Sequence, residues 1–260
     1  MNIKHLVMFS GGVCSWAAAK RVVERHGKDG VVLLFADTLI EDPTLYSFLE
    51  SAAENVGVPL VRIQDGRTPM ELFKDVRLLG NSGKDPCSHH LKRKILNRWR
   101  KLNCDKNVTV SHFGLDWNEP HRLEKIRKRH APWKCEAYMV ERPIVTKESM
   151  LLWAKSEGLT PCNLYDEGFP HANCGGACVK AGIAQWVHLL RVRPETFARW
   201  RDGEQELREH LGKDIAILRD RSGGKSRPLT LRELQQRIES KDSPMLFDKF
   251  DWGGCGCAVS

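Results

Sequence analysis

Three groups of residues in this chain have types and spacings that could do chemistry. The first is Ser10-Gly11-Gly12-Val13-Cys14-Ser15. Adjacent glycines let the backbone turn sharply and bring successive N–H groups close to a ligand. A helix starting just beyond adds unpaired donors and a dipole that favours an anion. Ser10 and Ser15 add hydroxyls. The same residues also suit an ordinary strand-to-helix turn with serine as its cap. They do not make a Walker loop, because its lysine is missing. Gly223-Gly224-Lys225-Ser226 ends as such a loop does, but Arg219 stands where the first glycine belongs.

The second group is the cysteines, nine in all. An odd count in a chain this long points to metal or catalytic thiols rather than a disulfide framework. Cys174-Gly175-Gly176-Ala177-Cys178 places two thiols over two glycines, a spacing that lets both face inward on a soft metal. Cys87, Cys255 and Cys257 are available to complete a site. The expected ligands are Cys87, Cys174 and Cys178, with Cys257 as the fourth and Cys255 or an open iron position as its alternatives, holding an iron–sulfur cluster of the four-iron, four-sulfide type. Zinc is the competing metal, with His171 or the terminal Cys-x-Cys completing a tetrahedral set. Cys104, Cys135 and Cys162 read as core or surface thiols, and Cys14 as packing on a first helix turn.

The third group is basic. His89 to Lys101 holds six cationic residues, no acidic one, and Trp99. Arg122 to His130 and Arg191 to Arg201 repeat the pattern. A solvated helix face is the plain reading of one such run, and contact with a phosphate backbone is the reading of three together. Lys92 and Lys94 could instead grip nucleotide phosphates. Arg193-Pro194 and Trp186 read as structural.

These residues need elements to position them. His5 to Phe9, Val31 to Ala36, Leu60 to Ile63 and Val108 to Phe113 read as strands. Val13 to His26 reads as a helix, and a second one opens at Pro43 and closes before Gly57-Val58-Pro59. Alternation at short intervals predicts an α/β fold, a parallel sheet with helices on both faces, whose ligands bind beyond the carboxyl ends of the strands. Helices are expected at Ile183 to Leu190, Glu204 to Leu211 and Leu229 to Ile238, with a loop over Arg221 to Arg227. The chain is thus divided into residues 1–182, the nucleotide-binding part with the cysteine segment, and 183–260, a helical extension of the same domain ending in the Cys-Gly-Cys tail.

The 260 residues are 41% apolar and 28% charged, as in a soluble globule. No apolar stretch nears the roughly 20 residues of a membrane span, and no secretory leader is visible, so a cytoplasmic location and no membrane partner are expected. The net charge of +8 favours a polyanionic partner.

Five segments in order resemble the adenine nucleotide α-hydrolase-like superfamily, which includes ATP pyrophosphatases and phosphoadenosine-phosphosulfate reductases. Phe9 to Ser15 resembles its pyrophosphate-binding loop, S-G-G-x-x-S. Asp37-Thr38 is similar to the Asp-Thr pair of the reductase branch. Pro86-Cys87-Ser88-His89-His90-Leu91-Lys92 resembles that branch's cysteine segment followed by basic residues. Gly114 to Arg122 resembles its G-x-x-x-x-E-x-x-R region, and Leu164-Tyr165-Asp166-Glu167-Gly168-Phe169 its L-Y-D-x-G-Y segment before a cysteine pair.

The resemblance implies an adenine nucleotide, ATP above all, bound with Mg²⁺ by Ser10, Gly11, Gly12, Ser15, Asp37 and Lys92. It makes Asp37, Asp116 and Arg122 the candidate catalytic residues. Two departures separate the chain from the reductases: the late E-C-G-I-H motif is missing, and Cys87-Ser88 and a C-x-x-x-C interval replace Cys-Cys and C-x-x-C. The expected function is therefore an ATP-dependent, pyrophosphate-releasing iron–sulfur sulfurtransferase acting on nucleic acid, tRNA or DNA. A sulfur-donor protein and a second copy of the chain are further expected partners. A phosphosulfate reductase variant using Cys255 or Cys257, and a zinc-stapled nucleotide-binding module without turnover, are the alternatives.

Overall fold

A computed structural model describes residues 2–81, 83–221, 225–240 and 251–253. The chain opens with β1 (His5–Met8), α1 (Val13–His26), β2 (Val31–Asp37), α2 (Pro43–Val56), β3 (Leu60–Gln64) and α3 (Pro69–Val76). A π-helical stretch, Ser88–Lys94, runs into α4 (Ile95–Asn103), followed by β4 (Val110–Phe113), α5 (Pro120–His130), β5 (Lys134–Glu136) and α6 (Lys147–Ser156). The last third holds α7 (Ile183–Val192), α8 (Pro194–Leu211), β6 (Leu218–Asp220), β7 (Arg227–Leu229) and α9 (Leu231–Glu239).

The five strands β3-β2-β1-β4-β5 form one parallel sheet. β2 is buried at all seven positions, as its unbroken apolar run requires of a strand covered on both faces. Val7, Leu33 and Phe35 enter one core with Trp16 and Phe48, while Leu6, Met8, Val32 and Leu34 enter a second with Leu96 and Ile126. The period of two along each strand thus sends alternate residues to opposite helical layers. α2 begins where its cap chemistry says, with Asp42 accepting the Thr44 N–H at 2.8 Å and Pro43 at the first position, and ends at Gly57 with φ +73°.

The C-terminal third differs in part from its expected form. Its helices share the first core through Trp186, Leu189, Phe197, Leu207 and Leu234, so it is one body with the sheet. It is not purely helical: β6 and β7 pair antiparallel, so Arg227, expected in the loop, and Leu229, expected in the helix, belong to a strand, while residues 222–224 of the expected loop lie outside the described residues. Pro228 hides this strand from a propensity reading, because proline is tolerated only in an edge strand of this kind. Ion pairs of Asp220 with Arg227 and Arg237, each at 2.9 Å, tie the ribbon to α9. α8 starts at Pro194, ten residues before the expected Glu204, since Pro at the first helical position opens a helix that the basic run disguised. β5 was not expected at all; three residues carry too little pattern. At the other end, residues 251–253 pair with the start of α7: Gly182 N–H donates to Trp252 O at 3.0 Å and Ala184 N–H to Asp251 O at 3.0 Å. Among the described residues, no helix is long and apolar enough to cross a membrane.

At the amino end of the sheet, His112 of β4 is 1% exposed, with its Nε2 3.0 Å from His5 Nδ1. Burial, then the neighbouring His5 and His26, push its pKa down to about 3. That value lies below the ordinary 6.5 of an unfolded chain, so the unfolded state binds the proton first. The stabilisation is complete above about pH 6.5 and is lost as pH falls towards 3. In urea titrations, the wild type should lose up to about 1.4 kcal/mol per pH unit more than His112→Gln below that point. Parallel pH profiles for the two proteins would refute this assignment.

Candidate functional site

The strand order places β1 at the point where the chain reverses direction across the sheet. β2 and β3 are laid down on one side of it, and β4 and β5 on the other. The carboxyl ends of β1 and β4 therefore part around a crevice, the ordinary ligand position in such sheets. The loop after β1 carries Ser10 to Ser15, and the loop after β4 carries Gly114 to Arg122.

The first loop is held by its own side chains. Ser10 N–H donates to Ser15 Oγ at 3.2 Å, the Ser15 hydroxyl donates to Gly12 O at 2.7 Å, and Gly12 N–H donates to Ser10 Oγ at 3.4 Å. Gly11 has φ +76°, a conformation that favours glycine. Tyr165, from the Leu-Tyr-Asp segment, closes over the turn and accepts the Val13 N–H at 3.3 Å. Among the described residues, the amides of Gly11 and Cys14 have no acceptor. The serines thus shape the turn rather than cap the helix, and donors remain at the mouth of α1.

The second loop meets the first at backbone distance. A Cβ on Gly114 would lie 2.8 Å from Ser15 Cα and 2.9 Å from Ser15 N. Asp116 follows, 19% exposed at its side chain, with Lys147 Nζ 4.0 Å away. Arg122 pairs with Glu119 through Nη1, while its Nη2 is buried with no hydrogen-bond partner. An unpaired buried guanidinium nitrogen is costly unless something anionic completes it. Asp116, Lys147, Glu119 and Arg122 all bear on Cys14, but burial dominates and pushes that thiol up to about 12. Cys14 is a packed thiol rather than a nucleophile.

Asp37 sits at the end of β2, 1% exposed. It accepts from Leu39 N–H (2.8 Å), the Tyr46 hydroxyl (2.7 Å) and the Arg62 guanidinium (3.0 and 2.5 Å). Burial alone would raise its pKa; these donors outweigh it, and the net shift is downwards. Its four acceptor positions are all used inside the protein, so Asp37 shapes the β2–α2 loop. Asp116 is the carboxylate left at the crevice with acceptor capacity.

The cysteine segment forms a neighbouring cavity. Thr38, Cys87, Ser88, Lys92, Cys174 and Cys178 all line it. Cys87 and Ser88 stand at the start of the π-helical stretch, a wide helical turn common at functional sites. Cys174 and Gly175 have φ +56° and +57°, a left-handed run that turns the 174–178 loop inward. Asp85 lies 3.4 Å from Lys180 and 3.5 Å from Arg93, pinning the stretch around Cys87 to that after Cys178.

Glu41 joins this cavity to the sheet. It is buried, and it accepts from Thr38 Oγ1 at 2.9 Å, Lys92 Nζ at 3.4 Å and the Cys174 N–H. Glu41 was not singled out by sequence reading, since a buried acid has no local pattern of its own, and Ser88 was noted there only as standing where the reductases have a second cysteine. Lys92 lines the cysteine cavity, with its Nζ 3.4 Å from Glu41.

The donor set suits a thiophilic metal: three thiols and a buried ammonium that would offset thiolate charge. Ser88 Oγ, in a residue 1% exposed, has no hydrogen-bond partner and lines the same space. The space is about 10 Å³, room for roughly one water. Among the described residues, no group of three or more metal-ligating side chains has converged to ligating geometry. The residues therefore fit a metal in kind, and a four-iron cluster would require the 174–178 loop to move outward. Cys255 and Cys257 lie outside the described residues, and His171 does not line the cavity. Cys135 and Cys162 are buried core thiols, as expected, with burial raising the Cys135 pKa to about 11.

The basic runs separate. His89, Arg93, Lys94, Arg98 and Lys101 line one groove with Arg129 from the second run. The third run does not join them: Arg193 pairs with Asp42 and Glu167, Arg201 with Asp202, and Trp200 turns into the core.

Compared with known proteins, the chain matches no family model and no curated protein.

Proposed function

We propose that this chain is an ATP-dependent, pyrophosphate-releasing sulfurtransferase whose acceptor is a nucleic acid. The observation that carries the reading is the adjacency of two sites. An anion-accepting turn and a half-paired arginine flank the crevice beside β1, and Glu41 ties that sheet edge to a cavity lined by three thiols.

ATP lies with its phosphates on the amides of Gly11, Cys14 and the first turn of α1. Asp116 is the carboxylate placed to hold a magnesium ion on those phosphates. An acceptor oxygen attacks the α-phosphorus, the bond to the bridging oxygen breaks, and pyrophosphate leaves with the electron pair. Arg122 Nη2 supplies a hydrogen bond to the developing negative charge, completing a donor that is otherwise unpaired. Sulfide then displaces AMP from the activated carbon or phosphorus. Cys87, Cys174 and Cys178 would hold an iron–sulfur cluster, and the chemistry it would supply there is delivery of sulfide. Glu41 anchors the 174–178 loop through the Cys174 N–H, and Lys92, which donates to Glu41, lines the same cavity.

The test is pyrophosphate release from ATP and Mg²⁺ with candidate nucleic acids, alongside iron, sulfide and zinc content of protein prepared without oxygen. About four irons and four sulfides per chain, lost in Cys174→Ser, together with pyrophosphate release, is the expected result. Arg122→Gln should lower the release rate about 10²–10³-fold with little change in ATP affinity. Stoichiometric zinc with tight ATP binding and no product would replace this reading by the nucleotide-binding module. Sulfite release from a phosphosulfate would replace it by the reductase.

A further inference from the structure

We propose that the groove between α4 and α5 is the track on which a nucleic-acid strand is held by its phosphates, leading to the cysteine cavity. The proposal deepens the reading above, on which it rests, by naming the surface that takes the acceptor.

The groove is open, with a volume of about 790 Å³, and no acidic residue lines it. Lys94, Arg98, Lys101 and Arg129 are exposed there, and among the described residues none of the four has an ion-pair partner. Elsewhere on α5 two arginines are matched: Arg127 by Glu124 and Glu136, Arg122 by Glu119. Lys94, Arg98 and Lys101 are four and three residues apart, which stacks three like charges on one helix face. That arrangement costs an isolated helix stability, and a polyanion laid along the face would relieve it.

The walls are braced from behind. Arg100, 2% exposed, donates to Asn97 Oδ1 at 2.9 Å and approaches His130 Nδ1 at 3.0 Å. Asn97 lines the groove, and His130 neighbours Arg129. Burial, then Arg100, push the His130 pKa down to about 4, so its ring is neutral and can accept the bond. One buried side chain therefore fixes α4 against α5 with the cations already apart, so little ordering is left to binding.

Length and direction agree with a strand. From His89 to Lys101 the helical rise is about 18 Å, or about five nucleotides at about 3.4 Å each. The track starts at His89, two residues along the chain from Cys87, which lines the cysteine cavity.

The experiment is fluorescence anisotropy of labelled single-stranded DNA and RNA with the full chain, at about 50 to 200 mM salt. Contact with four or five phosphates gives a log–log salt slope of about −2.8 to −3.5 for single strands. Arg98→Ala and Lys101→Ala should each weaken binding and reduce that slope by about 0.7, and the double variant by about 1.4. Lys213→Ala and Arg219→Ala, on a different basic surface, should bind as the wild type does. Melting temperatures check that every variant is folded. A wild type that binds neither strand overturns the proposal. So do groove variants with unchanged slopes, or control variants that lose as much. Intact binding and reduced slopes without any pyrophosphate release would leave the groove standing and remove the sulfurtransferase reading instead.

Discussion

Gly114→Ala should abolish most nucleotide binding and lower the melting temperature by about 2 to 12 °C. The added methyl would sit 2.8 Å from Ser15 Cα, 2.9 Å from Ser15 N and 3.1 Å from Cys14 C. These are backbone atoms of the first turn of α1, and no rotamer change can move them aside. Either α1 retreats from β4 or the loop after β4 shifts outward, and both widen the crevice. Overpacking of this kind costs about 1–3 kcal/mol, and each kcal/mol is about 2–4 °C in a chain of this size. Affinity for a non-hydrolysable ATP analogue, measured calorimetrically, should fall at least about tenfold, or about 1.4 kcal/mol. Gly203→Ala is the control. It lies inside α8, where the new methyl would face only the flexible Met70 side chain at 3.2–3.4 Å. Removing a helix glycine there should be neutral or stabilising by about 0.5–1 kcal/mol. If the two substitutions melt alike and both bind the analogue normally, the close approach of the two loops does not support the site.

The second large effect is expected at Glu41. Glu41→Gln removes the charge opposite Lys92 and one of the acceptors that Thr38, Lys92 and the Cys174 amide share. The Glu41 and Lys92 side chains are 1% and 10% exposed, so water replaces little of what is lost. Breaking one partner of a buried pair costs about 3–5 kcal/mol, or about 6–12 °C or more. The 174–178 loop loses its anchor in the same step, so metal content should fall with stability. Glu41→Gln combined with Lys92→Met removes both charges and should recover much of the melting temperature without restoring the metal. A single variant that melts and binds metal as the wild type does would show that Glu41 is not the tie between sheet and cavity.

The two predictions differ in what a sequence could disclose. Gly114 stands in a segment chosen for its motif, but the glycine's reason is Ser15, whose Cα a methyl there would approach to 2.8 Å. Glu41 lies four residues past Asp37, and its partners come from residues 38, 92 and 174. Asp37 shows the reverse case: its position was legible, while its four internal hydrogen bonds were not. Cys174 and Cys178 were chosen from residue type and spacing and Cys87 from the family resemblance, and the three do line one cavity. Nothing in that spacing disclosed the orphaned Ser88 hydroxyl beside them or the tightness of the space.

Local chemistry was enough for the sheet and its first helices. The all-buried run of β2, the Asp42-Pro43 start and Gly57 stop of α2, and the glycine turn before α1 are each written in adjacent residues. So is the charge that the basic runs carry. Tertiary structure decided which of those runs face one groove, which carboxylate stays open at the crevice, and how the cysteines are joined to the sheet. Helix period and turn type follow from neighbours a few residues apart. Burial, ion pairing and the meeting of two loops depend on groups dozens of residues apart, and these acquire partners only when the chain closes around them.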